Sequence, residues 1–131
     1  MSKTHVALAI EELCTSAFGN SVDHGFWEDY LRISHLISDN GLGGDAIKYE
    51  LDIKLSKIDL MHSELGEMTE GVRKPRPDEH CPDFTSEEIE LADCLIRAFD
   101  YAGAFGLRLG QAIEAKMEYN KSRPYKHGKG A

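Results

Sequence analysis

No stretch of this chain approaches the roughly 18 apolar residues that a membrane-crossing helix needs. No leader segment stands ahead of the first polar helix, so a cytoplasmic setting without a membrane partner is expected. Cysteine is sparse and unpatterned. Cys14, Cys81 and Cys94 form an odd set with no C-x-x-C spacing, which argues against a disulfide framework and for a reducing compartment. Zinc is disfavoured, because His80-Cys81 is adjacent in sequence and has no second spaced pair to complete a site. Positive charge is also short. Fifteen Lys and Arg face 23 Asp and Glu, and the net charge of −8 argues against a stable nucleic acid partner. It leaves room for one nucleotide in a locally basic pocket. No segment alternates convincingly as a strand, and there is no internal repeat or low-complexity tract.

What remains is helical. At 131 residues and 41% hydrophobic content the chain suits a single all-α domain over 1–131, with a basic C-terminal tail at 121–131. Val6, Ala9, Ile10, Leu13, Ala17 and Phe18 recur at helical spacing, which predicts a short helix over 4–18, stopped by Gly19-Asn20-Ser21. The stretch from His24 to Ile37 is amphipathic and reads as a brief helix or a packed loop, with Phe26 and Trp27 expected to pack the bundle. After Asn40-Gly41 and Gly43-Gly44, Asp45 is placed to cap a long helix over 46–70. Its main apolar stripe is Ile47, Leu51, Leu55, Ile58 and Leu65; Tyr49, Ile53 and Leu60 form a second one on roughly the opposite side. Helices of soluble proteins usually bury one stripe. Two stripes and a core thin for the chain length predict a small helical bundle completed by oligomerisation; the alternative is a monomer whose Ile53 and Leu60 meet the N-terminal helix. Prolines hold open the loop KPRPDEHCPDF. Thr85 then starts a helix over 86–105, with Glu88 placed for a capping box and Ala92, Leu95, Ile96, Phe99 and Gly103 as its core face. A last helix over 109–120 packs through Ala112, Ile113 and Met117, and Pro124 marks its exit.

Two pairs of carboxylates stand out on these helices. Glu64 and Glu67 extend the second stripe of the 46–70 helix, and Glu90 and Asp93 lie beside the core face of the next. Spacing of i,i+3 points both members of a pair from one side of a helix. If the two helices form an antiparallel hairpin, all four groups converge, and their repulsion calls for a cation between them. The bland alternative is ordinary solvated surface charge. An all-oxygen ligand set suits Mg2+, with Mn2+ as a possible substitute, and more than one ion is plausible in a loaded complex. No Glu-x-x-His occurs, which weakens a di-iron reading. His62 falls near the core stripe and is expected to be a packed or hydrogen-bonded side chain.

The run KIDLMHSELGEMTEG followed by EEIELADCLIRAFDYAGAFG resembles the MazG-type all-α nucleoside triphosphate pyrophosphohydrolases, which carry an ExxE motif, a spacer and an ExxD motif. Here these are Glu64-Leu65-Gly66-Glu67 and Glu90-Leu91-Ala92-Asp93, separated by 22 residues. The likeness covers about residues 45–127, including the tail KMEYNKSRPYKHGK. The resemblance implies Mg2+-dependent hydrolysis between the α and β phosphates of a nucleotide, giving a nucleoside monophosphate and pyrophosphate. It implies Glu64, Glu67, Glu90 and Asp93 as metal ligands, with Glu64 or Glu67 also activating the attacking water, and Asp100 as an aid to the metal site or the sugar. It further implies a homodimer or homotetramer with sites near subunit contacts.

In that setting Lys116, Arg123 and Lys126 are candidates for binding phosphate oxygens, against the alternative of a solvated tail. Asn120, one turn beyond Lys116, either contacts sugar or phosphate or caps its helix. Tyr119 and Tyr125 either stack on a base or pack, and His127 is a weaker candidate. Arg97, beside the carboxylates, is expected to form a structural ion pair rather than a substrate contact. Two rival readings are a non-catalytic helical protein whose acidic stripe meets a basic partner, and a metal-dependent phosphohydrolase acting on another phosphate ester.

Overall fold

The fold was analysed in a computed structural model that describes residues 4–41 and 43–128, with side chains as far as Lys126. The end of the basic tail and the side chain of His127 therefore lie outside the described residues. Five α-helices follow in order: α1 (His5–Asp23), α2 (Glu28–Asp39), α3 (Gly43–Arg73), α4 (Ser86–Ala104) and α5 (Leu109–Lys121), then a 3-10 turn at Tyr125–Gly128. No strand forms among the described residues; Pro77 and Thr85 make one isolated antiparallel bridge. No helix among them is long and apolar enough to cross a membrane. α4 lies between α1 and α3, while α5 packs on α1 and α2 on α3.

Helix α1 begins where Thr4 Oγ1 accepts the Ala7 amide at 3.2 Å. It does not stop at Gly19-Asn20-Ser21 as the sequence predicts. A glycine inside a helix costs only about 1 kcal/mol, which the packing of α1 along α4 offsets; the helix runs on to Asp23. The turn comes at Gly25, whose φ of +83° suits glycine. It delivers Trp27 to the centre of the fold at 1% exposure. The indole packs edge-on against Phe18, Tyr30 and Phe105, at centroid distances of 5.8, 5.7 and 5.6 Å. Its ring N–H donates to Asp100 Oδ1 at 2.8 Å, so a bulky apolar group enters the core with its one polar atom satisfied.

Helix α3 outruns its expected bounds at both ends, and Asp45 sits inside its first turn rather than capping it. The roles of its two stripes are also reversed. The face carrying Tyr49 and Ile53 packs on α2 and α4, and Tyr49 stacks on Tyr30 at 6.1 Å. Most of the stripe expected to dominate points outward: Ile47 is 73% exposed, Leu51 56% and Leu55 53%. Periodicity finds apolar faces but does not say which neighbour the chain supplies for each. Ala7, Cys14, Trp27 and Ala102 are the only fully buried apolar residues among those described.

Helix α4 opens with the expected capping box: Thr85 Oγ1 accepts the Glu88 amide and Glu88 Oε1 accepts the Thr85 amide, both at 3.1 Å. Of its expected core face, Leu95 and Ile96 are exposed, while Gly103 makes the close approach to α1 next to the buried Ala102, which the pattern did not single out. A methyl group on Gly103 would lie 2.6 Å from the Cys14 carbonyl oxygen and 2.8 Å from Phe18 Cβ. Alanine ordinarily favours a helix over glycine by about 1 kcal/mol, but here the obstacle is backbone. Gly103→Ala is expected to lower stability in chemical denaturation by about 1–3 kcal/mol. Gly66→Ala, with open space around its position, is expected to raise stability by about 0.5–1 kcal/mol. A stabilising Gly103→Ala would contradict the tight α1–α4 contact.

Candidate cation site

The acidic cluster is built where α3 ends beside the start of α4. Gly71 permits that approach, since a Cβ there would lie 2.7 Å from Ser86 Oγ and 3.0 Å from the Glu87 amide nitrogen. The intervening loop is tied back on itself. The Ser86 amide donates to the Arg76 carbonyl at 2.9 Å and the Asp78 amide to the Phe84 carbonyl at 2.8 Å. Asp78 Oδ2 in turn accepts the His80 and Cys81 amides.

This closure brings together Glu64 from α3 with Glu90 and Asp93 from α4. One carboxylate oxygen from each lies within 4.8 Å of the others. Glu64 is 7% exposed, unusual for a glutamate. Arg97 Nε donates to Glu64 Oε1 at 2.7 Å, the structural ion pair expected from the sequence. Glu90 Oε2 is buried without a hydrogen-bond partner. Burial, reinforced by the facing carboxylates of Glu64 and Glu67, pushes Glu90 up to a pKa of about 7. Asp93 is also raised, first by burial and then by Glu64, with Arg97 opposing. Glu67 sits one turn beyond Glu64 at the exposed rim and lies outside the triad.

These residues fit a hard divalent cation. The donors are all oxygen, they come from two helices, and one of them lacks any partner within the protein. Glu64, Glu90 and Asp93 would hold such an ion.

Beside the triad is a cavity of about 360 Å³, with Glu64, Asp93 and Arg97 at one end and Asn20, Phe26 and Lys57 among its other walls. Asp100 lines it too, with its carboxylate taken up by Trp27. The basic candidates are elsewhere. Lys116 and Arg123 lie over the Tyr119 ring at 4.6 and 5.7 Å, and Lys126 over Tyr125 at 5.7 Å. Asn120 is half-buried near the end of α5. None of Lys116, Asn120, Arg123 or Lys126 lines the cavity, so among the described residues one chain brings no part of its basic segment to the acidic cluster. Sequence reasoning passed over Lys57. The available signal was its position seven residues before Glu64, two turns along the same face of α3.

No family model, curated protein or solved structure matches this chain.

The charge state of Glu90 gives the cluster a pH signature. An unfolded glutamate titrates near 4.5, while Glu90 in the folded chain holds its proton to about 7. Between those values the folded state binds more protons, so stability falls as pH rises through the window. Without divalent ions the melting temperature is expected to drop over this interval more steeply for the native sequence than for Glu90→Gln. Added Mg2+ is expected to restore it at the upper end, where the carboxylate is free to bind. Identical pH slopes for the two proteins would mean that the crowding at Glu90 is absent.

Proposed function

We propose that the chain is a divalent-cation-dependent phosphohydrolase. The observation that carries this reading is the convergence of Glu64, Glu90 and Asp93 beside an open cavity. Our finer reading rests on the MazG-like order of the two carboxylate motifs: hydrolysis of a nucleoside triphosphate between its α and β phosphates, yielding a monophosphate and pyrophosphate. A bound Mg2+ or Mn2+ would neutralise phosphate oxygens and acidify a water molecule. Glu64, Glu90 and Asp93 would hold the ion, while Arg97 orients the buried Glu64 through its 2.7 Å ion pair. Glu67, at the rim and outside the triad, is available to orient the attacking water and accept its proton. Asp100, fixed by Trp27, shapes the side of the cavity next to the sugar.

The basic segment enters this reading through assembly. Ile47, Leu51, Leu55 and Leu65 on α3 and Leu91 and Leu95 on α4 are exposed, an apolar surface that a second copy would cover. We take the working form to be a homodimer or homotetramer, in which Lys116, Asn120, Arg123 and Lys126 of one chain serve the phosphates bound by another.

Incubation with a panel of nucleoside triphosphates and Mg2+ is expected to release pyrophosphate and the monophosphate. Orthophosphate as the first product would move the activity to another phosphate bond. Glu67→Gln is expected to cut turnover by about 10²–10⁴-fold with melting temperature and Mg2+ binding unchanged; full activity would remove Glu67 from the chemistry. By light scattering the native protein is expected at a multiple of its 14.6 kDa chain mass, and the double substitution Leu51→Glu, Leu55→Glu at or near one chain. A native protein that runs as one chain would rule out the assembly.

A further inference from the structure

Lys57 reaches the cavity from the middle of α3. Its Nζ donates to the Phe26 carbonyl at 3.2 Å and lies over the Trp27 ring at 4.3 Å. No carboxylate stands within ion-pair distance of it among the described residues. The nearby Asp100 is already bonded to the Trp27 N–H. An ammonium carries three donors, and the Phe26 carbonyl takes one. Its remaining N–H groups have no hydrogen-bond acceptor among the described residues and stay free to meet a ligand in the aromatic-walled cavity. Burial lowers the Lys57 pKa, which reports incomplete solvation.

A second and independent feature lies at the same wall. Phe26 lines the cavity and is 69% exposed. Phe18, Trp27, Tyr30, Tyr49, Tyr101 and Phe105 all pack ring against ring, whereas Phe26 pairs with no ring among the described residues. The expectation that Phe26 packs the bundle fails because the turn at Gly25 sends Trp27 inward and Phe26 outward. A free aromatic face beside an unspent ammonium donor is suited to a flat ring that carries an acceptor on its edge.

Resting on the phosphohydrolase reading above, we propose that this wall selects the organic half of the substrate: Phe26 stacks on a planar heterocycle and Lys57 donates to a carbonyl oxygen on its edge. The seven residues from Lys57 to Glu64 span about 10 Å along α3. That interval leaves room for a ring and a sugar between the donor and the cation ligands. The site accordingly favours nucleotides whose base bears a carbonyl, and adenine, which has none, is the poor ligand.

The test uses calorimetric titration of the full chain in Mg2+ with three monophosphates: UMP, IMP and AMP. UMP and IMP carry a base carbonyl, and IMP and AMP share the same outline. The native protein is expected to bind UMP and IMP at least about tenfold more tightly than AMP. Lys57→Met is expected to remove that advantage and leave AMP unchanged. Phe26→Ala is expected to weaken all the ligands that bind. Lys57→Leu repeats the measurement with another side chain that cannot donate, should the methionine variant melt early. If the native protein binds nucleotides and Lys57→Met weakens them all alike, or leaves their order intact, the selection by Lys57 is wrong while the phosphohydrolase reading stands. If no nucleotide binds the native protein, the nucleotide reading fails and takes this inference with it.

Discussion

The structure depends on a repulsion that the protein does not fully relieve by itself. Three carboxylates from two helices meet in a space where water is scarce, and one guanidinium, that of Arg97, stands among them. Arg97 balances Glu64. Burial first, and then what remains of the repulsion, raises the pKa of both Glu90 and Asp93. A carboxylate that keeps its proton to about 7 is stable enough as an acid. It is also an open invitation to a divalent ion, which supplies two charges where the protein supplies one. The packing of α3 against α4 is therefore crowded electrostatically about two turns from the point where Gly71 lets the helices approach.

This accounts for how much of the molecule serves to hold α3 in place. The helix is gripped through one face, by the stacking of Tyr49 on Tyr30 at one end and by the approach of Ser86 to Gly71 at the other. Between these grips run Lys57, which closes the cavity wall, and Glu64, which faces Arg97. A single surface of one helix thus carries an aromatic anchor, a cavity donor and a candidate cation ligand about two turns apart from one another. Trp27 braces the wall beside Lys57, because its packing and its hydrogen bond to Asp100 join the α1–α2 turn to α4.

Much of this was legible in the sequence. The capping box at Thr85 and Glu88 marked the start of α4, and the i,i+3 spacing of the two carboxylate pairs anticipated the meeting of Glu64, Glu90 and Asp93. Short-range rules suffice where the decisive contact is one helical turn away. They failed at Gly19-Asn20-Ser21, where a local breaker signal lost to burial, and on α3, where both stripes looked alike until the fold chose between them. Lys57 and Phe26 were invisible as a pair, since 31 residues separate them and only the turn at Gly25 brings the Phe26 carbonyl to the ammonium. The basic segment 116–126 was legible as charge but not as position, because the folded chain carries it at the end of α5, away from the cavity.

The two faces of α3 also tie assembly to chemistry. A chain with so few fully buried apolar residues has little internal packing with which to oppose the repulsion at Glu64, Glu90 and Asp93. Outward-facing Ile47, Leu51 and Leu55 lie on the same rigid rod as the inward-facing Lys57 and Glu64. Covering that outer stripe would restrain the rod from the side that a lone chain leaves to water. A cation at the triad would draw the same rod toward α4 from the other side. Both would act on one helix, so neither would be energetically separate from the other: a divalent ion would stabilise the geometry that presents the stripe, and a partner copy the geometry that presents Glu64.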